Sequence, residues 1–323
     1  MKVLITGGAG FLGQRLAKRL LARGELAGPN GAPARIGEIV LLDVVKAHDF
    51  GDPRVTTIVG DIAERAVLDA AIDARTHAIF HLAAIVSGQA EADFDLGMRI
   101  NLDASRLLLD VCRARGHQPR VVFTSSVAVY GGALPDVVQD DTALDPQSSY
   151  GAQKAIAERL LSDYARRGFV DGRVLRLPTI SVRPGRPNAA ASSFASGIIR
   201  EPLNGEEAVC PVPGDTRLWL LSPRRAIDAL VAGCELDGAT LGNRRVINLP
   251  GISVTVDEMI DALREVAGAD AVARIRREPD ERIARIVGSW PGRWDTSRAQ
   301  SLGLEGDASF ADVIRGYVED DRR

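Results

Sequence analysis

Residues 2–13 of the sequence read KVLITGGAGFLG, an apolar stretch that runs directly into a glycine-rich turn. Residues 1–6 predict a buried strand, and residues 14–23 predict the helix that follows the turn. Glycines at such a turn let the backbone approach a pyrophosphate group, and the N-terminus of the helix stabilises its negative charge. Similar turns also join strands to helices without binding anything, so a nucleotide site needs support from the rest of the chain.

A second apolar strand, predicted over residues 38–42, ends in Asp43. In nucleotide-binding sheets, an acidic residue at this place holds the adenosine ribose hydroxyls and repels a 2′-phosphate, which favours NAD over NADP. Asp43 follows Gly13 by 30 residues, whereas the usual spacing is about 20 residues. The additional residues fall in 24–37, a segment rich in Gly, Pro and Ala that predicts an extended surface loop.

Strands and helices alternate along the chain as far as residue 180. Further strands are predicted over 55–59, 78–82, 120–124 and 174–177, and helices over 67–74, 96–115 and 150–167. This alternation predicts an α/β fold, a Rossmann-like doubly wound parallel sheet that binds ligands at the carboxyl ends of its strands. We therefore assign residues 1–180 to an NAD-binding domain, with a returning strand near 246–249. Residues 181–323 are assigned to a smaller, partly interleaved substrate-binding portion.

Tyr150 and Lys154 lie one helical turn apart in the helix predicted over 150–167. A free tyrosine hydroxyl has a pKa of about 10, so a neighbouring ammonium group is needed to favour the phenolate at neutral pH. Only four of the 40 basic residues are lysines, so a lysine at this position is not typical of the surface of this protein. The pair therefore predicts a general base and the alcohol chemistry that such a base performs.

The composition excludes several classes of protein. The chain has 323 residues, of which 46% are hydrophobic, and this length and composition fit about two domains. Its net charge is −3, so there is no excess of basic residues and we expect no nucleic-acid partner. We expect no membrane association and a cytoplasmic location, because we find neither a signal peptide nor an apolar span of about 20 residues. Three cysteines without a CxxC pattern predict thiols in a reducing compartment, and four histidines without ligand spacing predict no metal site.

Taken together, these segments resemble the extended short-chain dehydrogenases/reductases, the NAD-dependent epimerase/dehydratase family, over essentially the whole chain. The resemblance is carried by TGGAGFLG at 6–13, GDI at 60–62, HLAA at 81–84, Asn101, Ser125-Ser126, Tyr130-Gly131 and Tyr150 with Lys154. It implies that Tyr150 is the catalytic base, that Lys154 lowers its pKa and holds the nicotinamide ribose, and that Ser126 hydrogen-bonds the reacting oxygen.

The same resemblance implies a set of contacts to NAD. They come from Gly7, Gly10, Phe11, Leu12, Asp43, Asp61, Ile62, Leu82, Ala83, Ala84, Asn101 and Leu177, together with Tyr150 and Lys154. Two of these assignments have a structural alternative. Asn101 could serve only as a helix cap, and Ala83 with Ala84 could be packing at the end of a strand.

Differences within the family narrow the range of reactions that we expect of this chain. Dehydratases of the family usually carry an Asp-Glu pair just after the catalytic serine, where this chain has Val127 and Ala128, whose side chains cannot transfer protons. Epimerases often carry a substrate-binding Asn shortly after the strand arginine, whereas here Arg176 precedes Leu177-Pro178-Thr179. Segments 80–95, 175–188 and 288–292 resemble dehydrogenases that use NAD to oxidise the C2 hydroxyl of a four-carbon sugar acid, D-erythronate, to the 2-oxo acid.

The oxidation of a secondary alcohol needs a base, a hydride acceptor and a hydrogen-bond donor to the oxygen, which Tyr150, NAD and Ser126 would supply. A sugar acid also needs a cation for its carboxylate, and arginine forms the bidentate clamp that suits one. We predict Arg183 in this role, with Arg186 as the next candidate and a surface arginine as the alternative. Further substrate contacts are predicted from Ser87, Gln89, Thr179 and Asn188.

Two other functions remain compatible with the sequence. One is a nucleotide-sugar 4-epimerase that acts on UDP-sugars with tightly bound NAD, and the other is a catalytically silent NAD-binding subunit, which would have no need of Tyr150 and Lys154. In the resembling family, helices equivalent to 96–115 and 150–167 form a four-helix bundle across a two-fold axis. Both segments carry apolar residues on more than one stripe, so we expect a homodimer.

Overall fold

The computed structural model describes residues 1–187 and 190–322. Its strands are β1 (Lys2–Thr6), β2 (Glu25–Ala27), β3 (Pro33–Arg35), β4 (Glu38–Asp43), β5 (Val55–Val59), β6 (Thr76–His81), β7 (Arg120–Ser126), β8 (Asp171–Leu177), β9 (Thr179–Ile180), β10 (Ala208–Cys210), β11 (Arg217–Leu221), β12 (Val246–Asn248), β13 (Ile252–Thr255) and β14 (Ile275–Arg277). Seven of them form a parallel sheet in the order β12-β8-β7-β6-β1-β4-β5. This order, in which the chain first builds outward on one side of β1 and then on the other, confirms the predicted doubly wound α/β fold.

Helices cover both faces of this sheet. They are α1 (Phe11–Arg23), α2 (Arg65–Ala71), α3 (Ser87–Ala92), α4 (Phe94–Gly97), α5 (Ala104–Arg115), α6 (Ser149–Arg166), α7 (Ser193–Leu203), α8 (Pro223–Glu235), α9 (Gly238–Leu241), α10 (Val256–Ala267), α11 (Ala269–Val272), α12 (Glu281–Gly288), α13 (Ser297–Ser301) and α14 (Phe310–Asp320). Val3 and Ile5 pack against the layer of α1 and α8, whereas Leu4 packs against α2, α5 and α6. Burial on both sides explains why β1 is a continuous apolar run.

The strands end at the same edge of the sheet. Thr6 pairs with Leu42 and His81, and Ser126 pairs with Leu177. The turns that follow these strands therefore line one crevice, where open α/β sheets bind their ligands.

After β8 the chain builds a smaller structure beside this crevice. Strand β11 lies between β9 and β13, and α7, α10 and α14 enclose a core that includes Ile198, Leu263 and Ile314. The chain also returns to the main sheet through α8 and β12. The domain boundary at residue 180 stays a prediction. Across the two ranges that the structure describes, every helix is too short or too polar to span a membrane.

Two local expectations differ from the structure. The segment 24–37 is not an extended loop, because β2 and β3 pair as an antiparallel hairpin and bury Leu26 and Ile36 completely. The helix expected over 96–115 is also not continuous. A π-helical turn, Met98–Asp103, separates α4 from α5 and contains the buried Asn101. Such turns often occur at functional sites.

Candidate active site

A cavity of about 320 Å³ opens at the carboxyl ends of β1, β6, β7 and β8. It is lined by Gly7, Gly10, Phe11, Leu12, Gly13, Leu82, Ala84, Val86, Ser87, Thr124, Ser125, Ser126, Val127, Ala128, Tyr150, Lys154, Leu177, Pro178, Thr179, Ile180, Arg183, Ala190, Ser192 and Trp290. The structure thus brings most of the predicted site residues together. The roles of the individual residues stay predictions.

The glycine turn has the shape that a pyrophosphate site needs. Gly7 has a φ of +71°, and a Cβ at this residue would lie 2.8 Å from the backbone nitrogen of Ala83. Helix α1 begins after Gly10, and no side chain caps its N-terminus. Among the residues that the structure describes, no side chain accepts from the amides of its first turn, and a phosphate group would supply an acceptor. The residues of this turn fit NAD.

Asp43 lies against the same turn. Its Oδ2 accepts a hydrogen bond from the Ala9 amide (3.0 Å), and its Oδ1 accepts one from Val45 (3.4 Å). The long spacing from Gly13 does not displace Asp43, because the β2–β3 hairpin ends before the chain enters β4. A carboxylate held at this point fits the predicted contact with the adenosine ribose.

Five predicted cofactor residues, Asp43 and the four described next, do not line the cavity. Asp61 binds the Ala63 amide (2.8 Å) and Arg99 (2.6 Å), and Ile62 packs in the core under α2 and α5. Ala83 is the residue that crowds Gly7. Asn101 bonds both backbone groups of Ile85, at 2.8 and 3.1 Å, and also the side chain of Gln153 at 2.7 Å. The Asn101 side chain, which belongs to the π-helical turn, therefore connects the segment after β6 to α6 through hydrogen bonds.

Helix α6 and the end of β7 hold the predicted catalytic residues. Tyr150 lies in the first turn of α6, and the Ser126 side chain hydrogen-bonds its hydroxyl. Lys154 is almost completely buried, and its Nζ donates to the Thr124 carbonyl oxygen (2.9 Å). The same Nζ lies 4.6 Å from the ring centre of Phe123 and 5.7 Å from that of Tyr150. The three side chains that alcohol oxidation requires are therefore neighbours.

Burial sets the protonation of this group in the protein without cofactor. It raises the pKa of Tyr150 to about 12, against the opposing effects of the Ser126 hydrogen bond and the positive charge of Arg183. It lowers the pKa of Lys154 to about 7, against the opposing charge of Glu158. Both shifts follow from desolvation, which favours the neutral form of a buried group. Tyrosine can act as a base here only where positive charge in the site offsets that cost.

Arg183 brings such a charge to the cavity. In the two described ranges, no carboxylate forms an ion pair with it. Its backbone is fixed by α7, since its amide donates to Ser196 Oγ (3.0 Å) and its carbonyl oxygen accepts from Arg200 (2.7 Å). Arg200 itself pairs with Glu201 at 2.5 Å. Arg183 is therefore a positioned cation without an internal counter-ion, next to Tyr150.

The other predicted substrate residues are placed unequally. Ser87 and Thr179 line the cavity, and Ser87 Oγ also accepts a hydrogen bond from the Ala191 amide (3.3 Å). Gln89 is exposed on α3 and does not line the cavity. Asn188 lies outside the described residues. Arg186, the second choice for the carboxylate, is exposed.

Sequence reasoning missed several lining residues. They are Val86, Ile180, Ser192 and Trp290. Trp290 follows α12, far along the chain from the other lining residues, and only packing brings it to the crevice. Its place in the short segment Gly-Ser-Trp-Pro-Gly was the available signal. No group of three or more potential metal-ligating side chains occurs in residues 1–187 and 190–322.

Comparison with known proteins gives close relatives over the full chain. The chain is 67% identical over 320 residues to D-erythronate dehydrogenase of Cupriavidus necator, covering 99% of this chain and 98% of the relative. It is 48% identical over 322 residues to D-erythronate dehydrogenase of Haemophilus influenzae, covering 99% of this chain and all of the relative. A crystal structure of a nucleoside-diphosphate-sugar epimerase from Agrobacterium tumefaciens superposes with a TM-score of 0.92 at 47% identity, covering 99% of this chain and 94% of that one.

The model of the NAD dependent epimerase/dehydratase family matches residues 3–224, which hold the glycine turn, Asp43, Ser126, Tyr150 and Lys154. The sequence resemblance, the doubly wound sheet and this match agree. The chain belongs to the NAD-dependent epimerase/dehydratase family.

Proposed function

We propose that this protein is an NAD-dependent dehydrogenase that oxidises the C2 hydroxyl of D-erythronate to 2-oxo-D-erythronate. Two relatives of nearly equal length, 67% and 48% identical, are D-erythronate dehydrogenases. The structural observation that carries the proposal is Arg183, a cation that lies beside Tyr150 in the cavity and has no counter-ion among residues 1–187 and 190–322. A small acid whose carboxylate bound Arg183 would present a neighbouring hydroxyl to Tyr150.

In this proposal each residue has one task. The Tyr150 phenolate accepts the proton of the C2 hydroxyl, and Ser126 donates a hydrogen bond to the same oxygen while it becomes a carbonyl. Lys154 and Arg183 stabilise the phenolate through their positive charge. Bound NAD⁺ would supply the acceptor for the hydride that leaves C2.

The cavity has to hold both the cofactor and the substrate. The cavity of about 320 Å³ is lined by the glycine-turn residues Gly10 and Leu12 and also by Arg183 and Trp290. Part of it therefore has to accept the cofactor.

A nucleotide-sugar 4-epimerase is the second candidate, because the similar structure from Agrobacterium tumefaciens is a nucleoside-diphosphate-sugar epimerase. The two functions differ in what happens to NAD. A dehydrogenase releases NADH at each turnover, whereas an epimerase retains the cofactor and returns the hydride to its substrate. The residues Ser126, Tyr150 and Lys154 serve either reaction.

One assay separates the two candidates. Purified protein with added NAD⁺ is supplied in parallel with D-erythronate, threonate, related C5 and C6 sugar acids and UDP-sugars. We expect NADH to form fastest with D-erythronate and UDP-sugars to remain unchanged. Interconversion of UDP-sugars without added cofactor, and no NADH from any acid, would replace the proposal by the epimerase.

We also propose that the protein is a homodimer that works in the cytoplasm. Ile156 on α6 is 46% exposed although it is a large apolar residue, and Leu107 and Leu160 are only partly buried. A second copy packed on α5 and α6 would cover them. The three buried free cysteines suit a reducing compartment. Light scattering at micromolar protein concentration tests this proposal, and a monomeric mass would refute the homodimer.

A further inference from the structure

His81, the last residue of β6, is almost completely buried and takes no part in the reaction proposed above. Its Nδ1 lies 2.7 Å from Thr6 Oγ1, and its Nε2 lies 2.9 Å from Ser105 Oγ. Thr6 ends β1 directly before the glycine turn, and Ser105 lies at the start of α5, just after the π-helical turn. The imidazole ring therefore bridges these two turns.

The neighbours of this bridge fix where its protons lie. Ser105 Oγ donates to the Asn101 carbonyl oxygen (2.7 Å), so it acts as an acceptor toward His81. Thr6 Oγ1 accepts from the Ala83 amide (3.3 Å), so its own proton is available to His81. Both contacts are satisfied when the ring carries a proton on Nε2 and accepts a hydrogen bond at Nδ1.

The surroundings of the ring oppose a second proton. Burial and then the positive charge of Lys154 lower the pKa of His81 to about 3, so the ring is neutral at pH 7. A neutral imidazole has one donor and one acceptor, and the contacts with Ser105 and Thr6 use both. The hydrogen bonds therefore select a single tautomer in the folded protein.

Both ends of this hydrogen-bond chain hold backbone that belongs to the predicted NAD site. At one end Ala83 approaches the glycine turn so closely that a Cβ at Gly7 would lie 2.8 Å from its backbone nitrogen. At the other end the Asn101 side chain holds both backbone groups of Ile85 and the side chain of Gln153 on α6. The distance between the two turns thus depends on hydrogen bonds that pass through one ring.

We propose that His81, as its Nε2–H tautomer, is a positioning residue that sets the distance between the glycine turn and the π-helical turn and thereby preorganises the NAD site. The ring does not line the cavity, so it acts through Thr6 and Ser105. The inference concerns cofactor binding and holds whichever acid the protein oxidises.

Variants of the two hydroxyl partners test this role. Thr6→Val keeps the shape of the side chain but removes the partner of Nδ1 and of the Ala83 amide, and Ser105→Ala removes the acceptor of Nε2. In both variants we expect the Kd for NAD⁺, measured by calorimetry without substrate, to rise at least about fivefold, because NAD⁺ then has to order a loosened site. Thr6→Ser keeps the hydroxyl and should restore a Kd within about twofold of wild type.

Ser162→Ala is the matched control for Ser105→Ala. Ser162 Oγ likewise donates to the carbonyl oxygen four residues earlier, that of Glu158 at 2.7 Å, but it lies two helical turns beyond Lys154 on α6. Its removal should lower the melting temperature to a similar extent and leave the Kd for NAD⁺ unchanged. Equal rises in Kd for the two alanine variants would reduce the effect to a general loss of stability and overturn the inference.

Nuclear magnetic resonance of the histidine ring nitrogens gives a readout that does not depend on activity. The chain has four histidines, so single variants of His48, His77 and His117 assign the signals of His81 by elimination. At pH 7 we expect a neutral ring with its proton on Nε2 in wild type and in Ser162→Ala, and an altered pattern in Thr6→Val.

Two results would overturn the inference. One is a His81 ring that carries its proton on Nδ1, and the other is an unchanged Kd for NAD⁺ in folded Thr6→Val and Ser105→Ala. A wild-type protein that binds NAD⁺ with the expected tautomer but does not oxidise D-erythronate would overturn only the proposed function.

Discussion

Arg183→Ala should weaken sugar-acid binding strongly and cofactor binding hardly at all. Loss of one partner from a desolvated charged pair costs about 2–5 kcal/mol. Arg183 is only partly buried, so solvent screens part of the interaction and the lower end applies. A cost of about 2–3 kcal/mol corresponds to a rise of roughly 30- to 150-fold in the KM for D-erythronate, at 1.4 kcal/mol per factor of ten. Initial rates of NADH formation over a range of acid and NAD⁺ concentrations measure both constants.

Two matched controls assign this effect to the carboxylate. Arg186→Ala removes an exposed arginine from the same segment and should leave the KM unchanged. Erythritol, the uncharged counterpart of the acid, should react equally poorly with wild type and Arg183→Ala. Arg183→Lys should recover only part of the affinity, because an ammonium group cannot form the bidentate contact. An unchanged KM in Arg183→Ala, or an equal rise in Arg186→Ala, would refute the assignment.

Three other predictions concern the base and the cofactor. Tyr150→Phe should abolish NADH formation while the Kd for NAD, measured by fluorescence titration, changes by no more than a few fold; a parallel loss of NAD binding would contradict its role as base. Because burial raises the pKa of Tyr150 to about 12, kcat/KM should increase from neutral to alkaline pH, and a decrease over that range would argue against a phenolate base. Asp43→Asn should improve kcat/KM with NADP relative to NAD, and a wild-type protein that already uses both equally would show that Asp43 does not meet the ribose.

The main sheet could be predicted because each of its strands carries its own signal. Strand β1 is apolar on both faces. It is followed in the sequence by the glycine turn, by α1 and, at the end of β4, by Asp43. Tyr150 and Lys154 could be paired for a similar reason, since residues four positions apart lie side by side on one face of a helix. Arg183 was chosen from its chemistry and from its place five residues beyond Pro178, and the fold brings it to the same cavity as Tyr150.

Features that depend on distant packing could not be predicted. Trp290 reaches the cavity only because α12 packs near it, and the segment 288–292 draws attention to Trp290 without indicating that contact. The 24–37 segment looked like a loop because it is rich in Gly and Pro, yet β2 pairs with β3 there, and Leu26 and Ile36 are completely buried. Glu158 resembled any acidic residue on a helix. Its partner Arg176 lies on β8, and the sequence around either residue does not indicate that the two form a buried ion pair.

The most direct test of the proposed reaction follows the hydrogen that leaves the substrate. D-Erythronate carrying deuterium at C2 is incubated with the protein and NAD⁺, and the reduced cofactor and the acid product are analysed by mass spectrometry. The proposed reaction predicts one deuterium in each reduced cofactor, a slower rate than with the unlabelled acid when hydride transfer limits turnover, and a 2-oxo acid without deuterium. Reduced cofactor without deuterium, or no reduced cofactor at all, would contradict oxidation at C2.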